Sequence, residues 1–134
     1  MKLFHFIATL SGLTLFSFTS AALAQQVLPG QPISVSGTSG GTVNSGDCGY
    51  IANSPNHTIE VVNDLPYWRI TVQTTGTPTL LIQGPAGRYC VLPTASGGTL
   101  QFSGYGTQGT YQLFIGDRDR GQHPYQLSIS DKRK

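Results

Sequence analysis

The sequence predicts an all-β protein, a small jelly-roll-like β-sandwich carrying one disulfide. Three observations lead there. Short runs of alternating or β-branched residues recur at intervals of about ten positions, with Gly and Pro between them. No segment past the N-terminal leader keeps a helical period. The chain has 17 Gly and 8 Pro among 134 residues, and only two cysteines.

Each element follows from its own pattern. Residues 1–24 read as a signal peptide: Lys2 supplies a positive start, Leu3 to Phe18 an apolar stretch, and Ala22-Leu23-Ala24 a small-x-small cleavage pattern, with cleavage before Gln25. The apolar run is too short and too interrupted by Ser, Thr and Gly for a good membrane span. Cleavage leaves about 110 residues, enough for one core and one domain. Residues 25–49 form a loose, then Gly/Ser/Thr-rich segment, 50–130 the sandwich core (the domain overall about 32–130), and 131–134 a basic tail. Within the core, Thr58 to Val62 is a β-branched run. Tyr67 to Gln73 alternates, with Trp68, Ile70 and Val72 on one side. Thr79 to Gln83 is a compact apolar run suited to a strand covered on both faces. Gly84-Pro85-Ala86-Gly87 is a turn by composition, and Arg88 to Leu92 returns from it. Thr110 to Ile115 and Pro124 to Ser130 close the chain, presenting Tyr111, Leu113 and Ile115, then Tyr125, Leu127 and Ile129. Between them Gly116 to His123 reads as a polar loop.

Cys48 and Cys90 are an even pair in an exported chain and are expected to form the disulfide. The enclosed loop of roughly 40 residues is worth about 4 kcal/mol on the chain-entropy account. A pair of reactive or metal-binding thiols is the alternative, but Cys-x-x-Cys and a neighbouring His cluster are both missing. The formal charge of +2 is spread thinly. Nothing forms the basic, aromatic-interleaved face that nucleic acid requires. Lys132-Arg133-Lys134 reads as a solvated end.

Three blocks resemble a known family. Pro78-Thr79-Leu80-Leu81-Ile82-Gln83-Gly84-Pro85-Ala86-Gly87-Arg88-Tyr89-Cys90 resembles the central hairpin of bacterial pre-peptidase C-terminal (PPC) domains. Gly109-Thr110-Tyr111-Gln112-Leu113-Phe114-Ile115-Gly116 and Pro124-Tyr125-Gln126-Leu127-Ser128-Ile129 resemble two later strands of that family, in the same order and spacing. The resemblance spans roughly Thr58 to Ser130. It implies a secreted, non-catalytic jelly-roll-like sandwich, here standing alone without an attached enzyme. Members of the family often carry adjacent acidic residues after the hairpin, which in some help to hold calcium. Val91-Leu92-Pro93-Thr94 stands there instead, so no calcium role carries over.

Candidate chemistry is sparse. Gly37-Thr38-Ser39-Gly40-Gly41 fits the nucleophile-elbow string, but that string needs a strand before it and a helix after it. Removing the leader leaves His57 and His123, both in turn-like contexts and read as surface loop residues. Their separation carries no metal-ligand spacing. Asp117-Arg118-Asp119-Arg120 starts like a calcium loop but lacks the later ligands, and reads as self-paired loop charge. Asn56-His57-Thr58 is a glycosylation sequon by chance. Tyr67 and Tyr105, the latter in the loop-like Ser103-Gly104-Tyr105-Gly106, are the exposed aromatic candidates for ligand contact, with Asp117 and Asp119 beside them; Trp68 reads as core. No catalytic residue, metal or cofactor is expected. The function expected is a periplasmic or secreted binding or accessory module for a protein, peptide or glycan. The alternatives are an inhibitor or chaperone-like partner of a secreted protease and, less favoured by the chain, a small secreted hydrolase.

Overall fold

The computed structural model describes residues 24–93 and 98–133; the leader expected over 1–24 falls almost wholly outside them. Every regular element in the described residues is a strand: β1 (Gln25–Val27), β2 (Ile33–Thr38), β3 (Val43–Asn44), β4 (Tyr50–Ile51), β5 (His57–Val61), β6 (Leu65–Thr74), β7 (Pro78–Gly84), β8 (Gly87–Val91), β9 (Thr99–Gly106), β10 (Gly109–Asp117) and β11 (Pro124–Ser130). They form two sheets. The four-stranded sheet runs β2-β11-β6-β9, antiparallel throughout. The seven-stranded sheet is organised on β10, which pairs with β5 and β4 and also with β7, while β8 hangs on β7 and β1 lies parallel to β5.

Period-two alternation explains why these segments pair as they do, since one face of each strand must leave water. Trp68, Ile70 and Val72 of β6, Leu100 of β9, and Tyr125, Leu127 and Ile129 of β11 face Ile59, Val61, Leu80, Ile82, Tyr111, Leu113 and Ile115 across the sandwich, all buried in one core. The expected inward faces of β6, β10 and β11 are the ones observed, with β10 buried on both faces from Leu113 onward. The continuous apolar run of β7 has its expected cause as well. Leu80 and Ile82 enter the main core, while Leu81 faces the opposite way, into a second cluster with Phe114, Ile51 and the disulfide sulfur of Cys48. That outer cluster is roofed by the segment around Cys48, which the Cys48–Cys90 disulfide ties to β8 with the two Cα atoms 5.6 Å apart. Beside it, Asp47 receives both arms of the Arg88 guanidinium at 2.7 and 2.9 Å.

Four features differ from the sequence-based expectation. The Gly/Ser/Thr-rich N-terminal segment contributes β1, β2 and β3, because backbone pairing against β5, β11 and β4 orders residues whose side chains give little pattern. Residues 103–106, expected as loop, are the end of β9, paired with β6 as Ser103↔Arg69 and Gly104↔Trp68. His57 opens β5 and is half-buried, rather than lying in a surface loop. The tail is held too: the Arg133 guanidinium lies 4.6 Å from the centre of the Tyr67 ring, and Arg69 Nη1 donates to the Arg133 carbonyl.

Candidate functional site

Two groupings of chemically interesting side chains emerge, at opposite ends of the strands. Pro124↔Thr38, Tyr125↔Thr74 and Gln73↔Thr99 mark one end of the four-stranded sheet, and Trp68↔Gly104 lies towards the other.

The first end is polar. Asp117, expected in a loop, is the last residue of β10 and is 1% exposed. Its carboxylate accepts bonds from the Thr77 amide (3.3 Å), the Thr77 hydroxyl (3.0 Å) and the Asp119 amide (2.9 Å). The expected pairing with the adjacent arginines does not occur among the described residues. Arg120 lies over the Tyr50 ring and Arg118 uses its amide on the Thr77 carbonyl. Asp119 is exposed. His123 Nε2 stands 3.8 Å from Asp117 Oδ2, too far for a hydrogen bond.

Ser39 lies beside them. Its hydroxyl accepts the His123 backbone amide at 3.2 Å, and its own amide donates to the His123 carbonyl. Thus Ser39, His123 and Asp117 come together without any spacing signal in the sequence. Their bonds are not those of a triad, in which the imidazole must take the serine proton. The serine is bonded to the histidine main chain and is fully buried. No helix follows it; Gly40, at φ +81°, instead turns the chain so closely past the Gly121 carbonyl that a Cβ could not fit.

Next to this cluster, Asn56 donates to the Thr38 carbonyl and accepts the Ile115 amide. The sequon asparagine is therefore a bracket between β2 and β10. His57 Nε2 lies 2.7 Å from the Tyr125 hydroxyl. Burial pushes the Tyr125 phenol up to about 12 and lowers the His57 imidazole below its usual 6.5. Both groups are thereby held neutral, and we assign the phenol as donor to Nε2, with the imidazole proton on Nδ1. Among the described residues no group of three or more His, Cys, Asp or Glu side chains is placed to hold a metal ion.

The second end is aromatic. A cleft of about 280 Å³ opens between the free edges of the two sheets. Its walls are Ile82, Ala86 and Tyr89 from β7, the turn and β8, and Trp68, Phe102, Ser103, Gly104 and Tyr105 from β6 and β9, with Thr107 and Tyr111 behind. The cause lies in β9. Its even-numbered residues face inward, and after Leu100 and Phe102 these are Gly104 and Gly106. The Trp68 indole closes over Gly106, where a Cβ would stand 3.3–3.4 Å from Leu65 and Trp68. At Gly104 a Cβ would meet only the tip of Phe102, at 3.6 Å. The inner face is therefore unfilled there. Tyr89 (47% exposed) and Tyr105 (60% exposed) form the two lips. The Tyr105 phenol is raised above its usual value by partial desolvation and by the nearby Asp64 carboxylate. Tyr111 donates to the Thr107 carbonyl. Trp68 packs at 4.9 Å on Tyr111 and edge-on to Phe102, and its Nε1–H has no partner among the described residues.

Tyr105 thus stands at a formed cleft. Tyr67 does not join it, lying on the other face of β6 under Arg133. Asp117 and Asp119 sit at the far end. The sequence reading did not single out Tyr89, Ile82 or Gly104 for this site. The glycines alternating with Phe102 were the available signal, because they mark an inner face without side chains.

The chain is an all-β, disulfide-stapled sandwich whose open edge carries an aromatic cleft. No protein-family model matches it. An uncharacterized protein of Synechococcus elongatus is 40% identical over 104 residues, covering 75% of this chain and 76% of that protein, and the chain belongs to the same family. Among solved structures, the pre-peptidase C-terminal domain of collagenase from Bacillus anthracis is similar with a TM-score of 0.48 and 18% identity, covering 84% of this chain and 99% of that one. No helix in the described residues is long and apolar enough to cross a membrane.

Proposed function

We propose that the protein is an exported, non-catalytic binding or accessory module of the PPC type that engages its partner through the aromatic cleft between β8 and β9. The observation that carries this is the cleft itself. An apolar concavity with two exposed tyrosine lips is an expensive surface to leave in water, and such surfaces mark recognition sites. Export is supported by the leader pattern and by the disulfide, which persists in oxidising compartments. The hydrolase alternative gains nothing from the polar end, because Ser39 is buried and bonded to main chain.

The test is retention. Wild-type and Tyr105→Ala protein, each lacking residues 1–24, are coupled to resin and exposed to the native secretome; both forms are also passed over polysaccharide resins. Tyr105 is exposed, so the variant melts with the wild type. A component or polysaccharide held at least tenfold more by the wild type supports the reading, and a protease among the retained proteins favours the protease-partner variant of it. Equal retention by the two proteins refutes it.

A further inference from the structure

We propose that the occupant of the cleft is an extended, uncharged polypeptide segment that adds as a further strand to the free edge of β9 and places one aromatic or branched aliphatic side chain over Gly104. This rests on the cleft being the binding site and names what it binds.

The first observation is the edge. β9 is eight residues long and, among the described residues, hydrogen-bonds to a neighbouring strand on one side only, where it meets β6. Natural edge strands are guarded by charge, proline, bulges or shortness. The outer edge of β9 has none of these: Thr99-Leu100-Gln101-Phe102-Ser103-Gly104-Tyr105-Gly106 contains no charged residue and no proline, and its register with β6 is continuous from Gly104 to Thr99. The irregularity of the pair falls on the β6 side, between Leu65 and Trp68.

The second observation is the position of the cleft relative to that edge. A strand added to β9 lies about 4.8 Å from it, and its residue opposite Gly104 points to the same face as Gly104. That face is the inner one, where Gly104 leaves space and where Trp68, Ile82 and Tyr111 form the walls. The added strand therefore delivers a side chain into the cleft by ordinary sheet geometry. A volume of about 280 Å³ suits one such side chain and is small for a larger ligand.

The third observation is charge. No carboxylate, imidazole, amine or guanidinium lines the cleft itself; the nearby Asp64 stands at the Tyr105 lip, where it accepts the Gln108 amide, and Arg88 is forked onto Asp47. A segment carrying charge at the inserted position would be desolvated without a partner. Main-chain donors and acceptors spaced along β9 match another extended backbone, and pockets for alternate side chains then give selectivity. A sugar matches the aromatic lips but not that ladder.

The experiment uses the protein lacking residues 1–24 and a phage-displayed library of random nine-residue peptides, counter-selected on Gly104→Leu. That substitution fills the cleft from within, at a site where a Cβ has room, so folding is preserved and is checked by melting. Selected peptides are synthesised with and without N-methylation of alternate backbone amides, and binding is followed by the fluorescence of Trp68, the one tryptophan of the chain. The expected result is enrichment of peptides with an aromatic or branched side chain at one fixed position, uncharged beside it. Gly104→Leu and N-methylation should each weaken them at least tenfold. No enrichment over Gly104→Leu, or equal binding of the N-methylated forms, overturns the proposal. Tyr105-dependent retention on polysaccharide with no peptide enriched overturns strand addition while leaving the cleft as the site. Concentration-dependent dimerisation abolished by Gly104→Leu, again with no peptide enriched, overturns it in favour of a second copy of the chain.

Discussion

Breaking the Cys48–Cys90 bridge tests how a sandwich this small is held together. The two residues are 42 apart in sequence. The loop-closure entropy that the bridge removes from the unfolded chain corresponds to about 4 kcal/mol at 25 °C. In a domain of about 110 residues that is about a quarter or more of ordinary net stability, and it corresponds to a fall in melting temperature of roughly 15–25 °C. Two forms separate the cross-link from the packing of its sulfurs. Wild-type protein reduced in denaturant and refolded under reductant keeps both sulfur atoms, including the fully buried one of Cys48 against Ile51, Leu81 and Phe114. The Cys48→Ala/Cys90→Ala variant loses them and should fall by about a further 1 kcal/mol. Urea unfolding followed by circular dichroism gives both the midpoint and the slope. The slope should increase on reduction, because an untied unfolded chain exposes more surface. A reduced protein within about 1 kcal/mol of the oxidised one, with unchanged slope, would refute the reasoning.

Three other perturbations address the polar end. The fold keeps His57 neutral, its pKa lowered by burial beneath the ordinary 6.5; the unfolded chain takes up a proton that the folded one refuses. The stability His57 contributes is thus complete above about pH 6.5 and declines as pH falls towards its folded value, at no more than ~1.4 kcal/mol per pH unit. Melting curves of wild type and His57→Gln between pH 7.5 and 4.5 should converge or cross as the solution acidifies; parallel curves would contradict the assignment. Asp117→Asn replaces an acceptor of three bonds with a group that must turn its amide away from the same donors. It should cost about 1–3 kcal/mol by thermal melting, and Thr77→Val, which removes one of those donors, about 1 kcal/mol; an Asp117→Asn protein as stable as wild type would show that the carboxylate network is incidental.

The strands legible in the sequence were those whose side chains alternate strongly. Trp68-Ile70-Val72, Tyr111-Leu113-Ile115 and Tyr125-Leu127-Ile129 announce both the strand and its buried face. The doubly covered β7 was legible from its unbroken apolar run, and the bridge from a count of two cysteines. What escaped was held by backbone rather than by pattern. β2 (ISVSGT) is two-thirds serine, threonine and glycine, and exists because β11 offers it a full register from Pro124↔Thr38 to Ile129↔Ile33. β9 escaped for the same reason. After Phe102 its inner positions are glycines, so periodicity vanishes where the strand is closest to Trp68. That absence of side chains is also what makes the cleft, so the feature that hid the strand hid the candidate site with it. Tyr105 was legible only through the loop-like composition of its neighbours, which is strand in the structure. Tyr89, across the cleft, could be placed there only once the hairpin of β7 and β8 was set against β9.

The gathering of Ser39, His123 and Asp117 shows why residue types cannot stand for chemistry. Proximity is satisfied, and even the nucleophile-elbow string is present. What decides the matter is which atoms are bonded. Ser39 and His123 exchange two bonds, N–H to carbonyl at 2.8 Å and N–H to hydroxyl at 3.2 Å, and both use the main chain of His123. A serine in that position acts as an extra rung between the end of β2 and the start of β11. Asp117 does the equivalent for the turn at Thr77, and Asn56 for β2 against β10. Each of these side chains satisfies backbone groups that the strands, as they run out, leave without a ladder partner. The polar end is therefore closed by its own hydrogen bonds and has no donor set arranged around an empty position. The aromatic end is the reverse: its walls are apolar, its inner face lacks a side chain at Gly104, and the neighbouring strand edge has no partner. Recognition needs surface that the fold itself leaves uncommitted, and within the described residues the aromatic end supplies it.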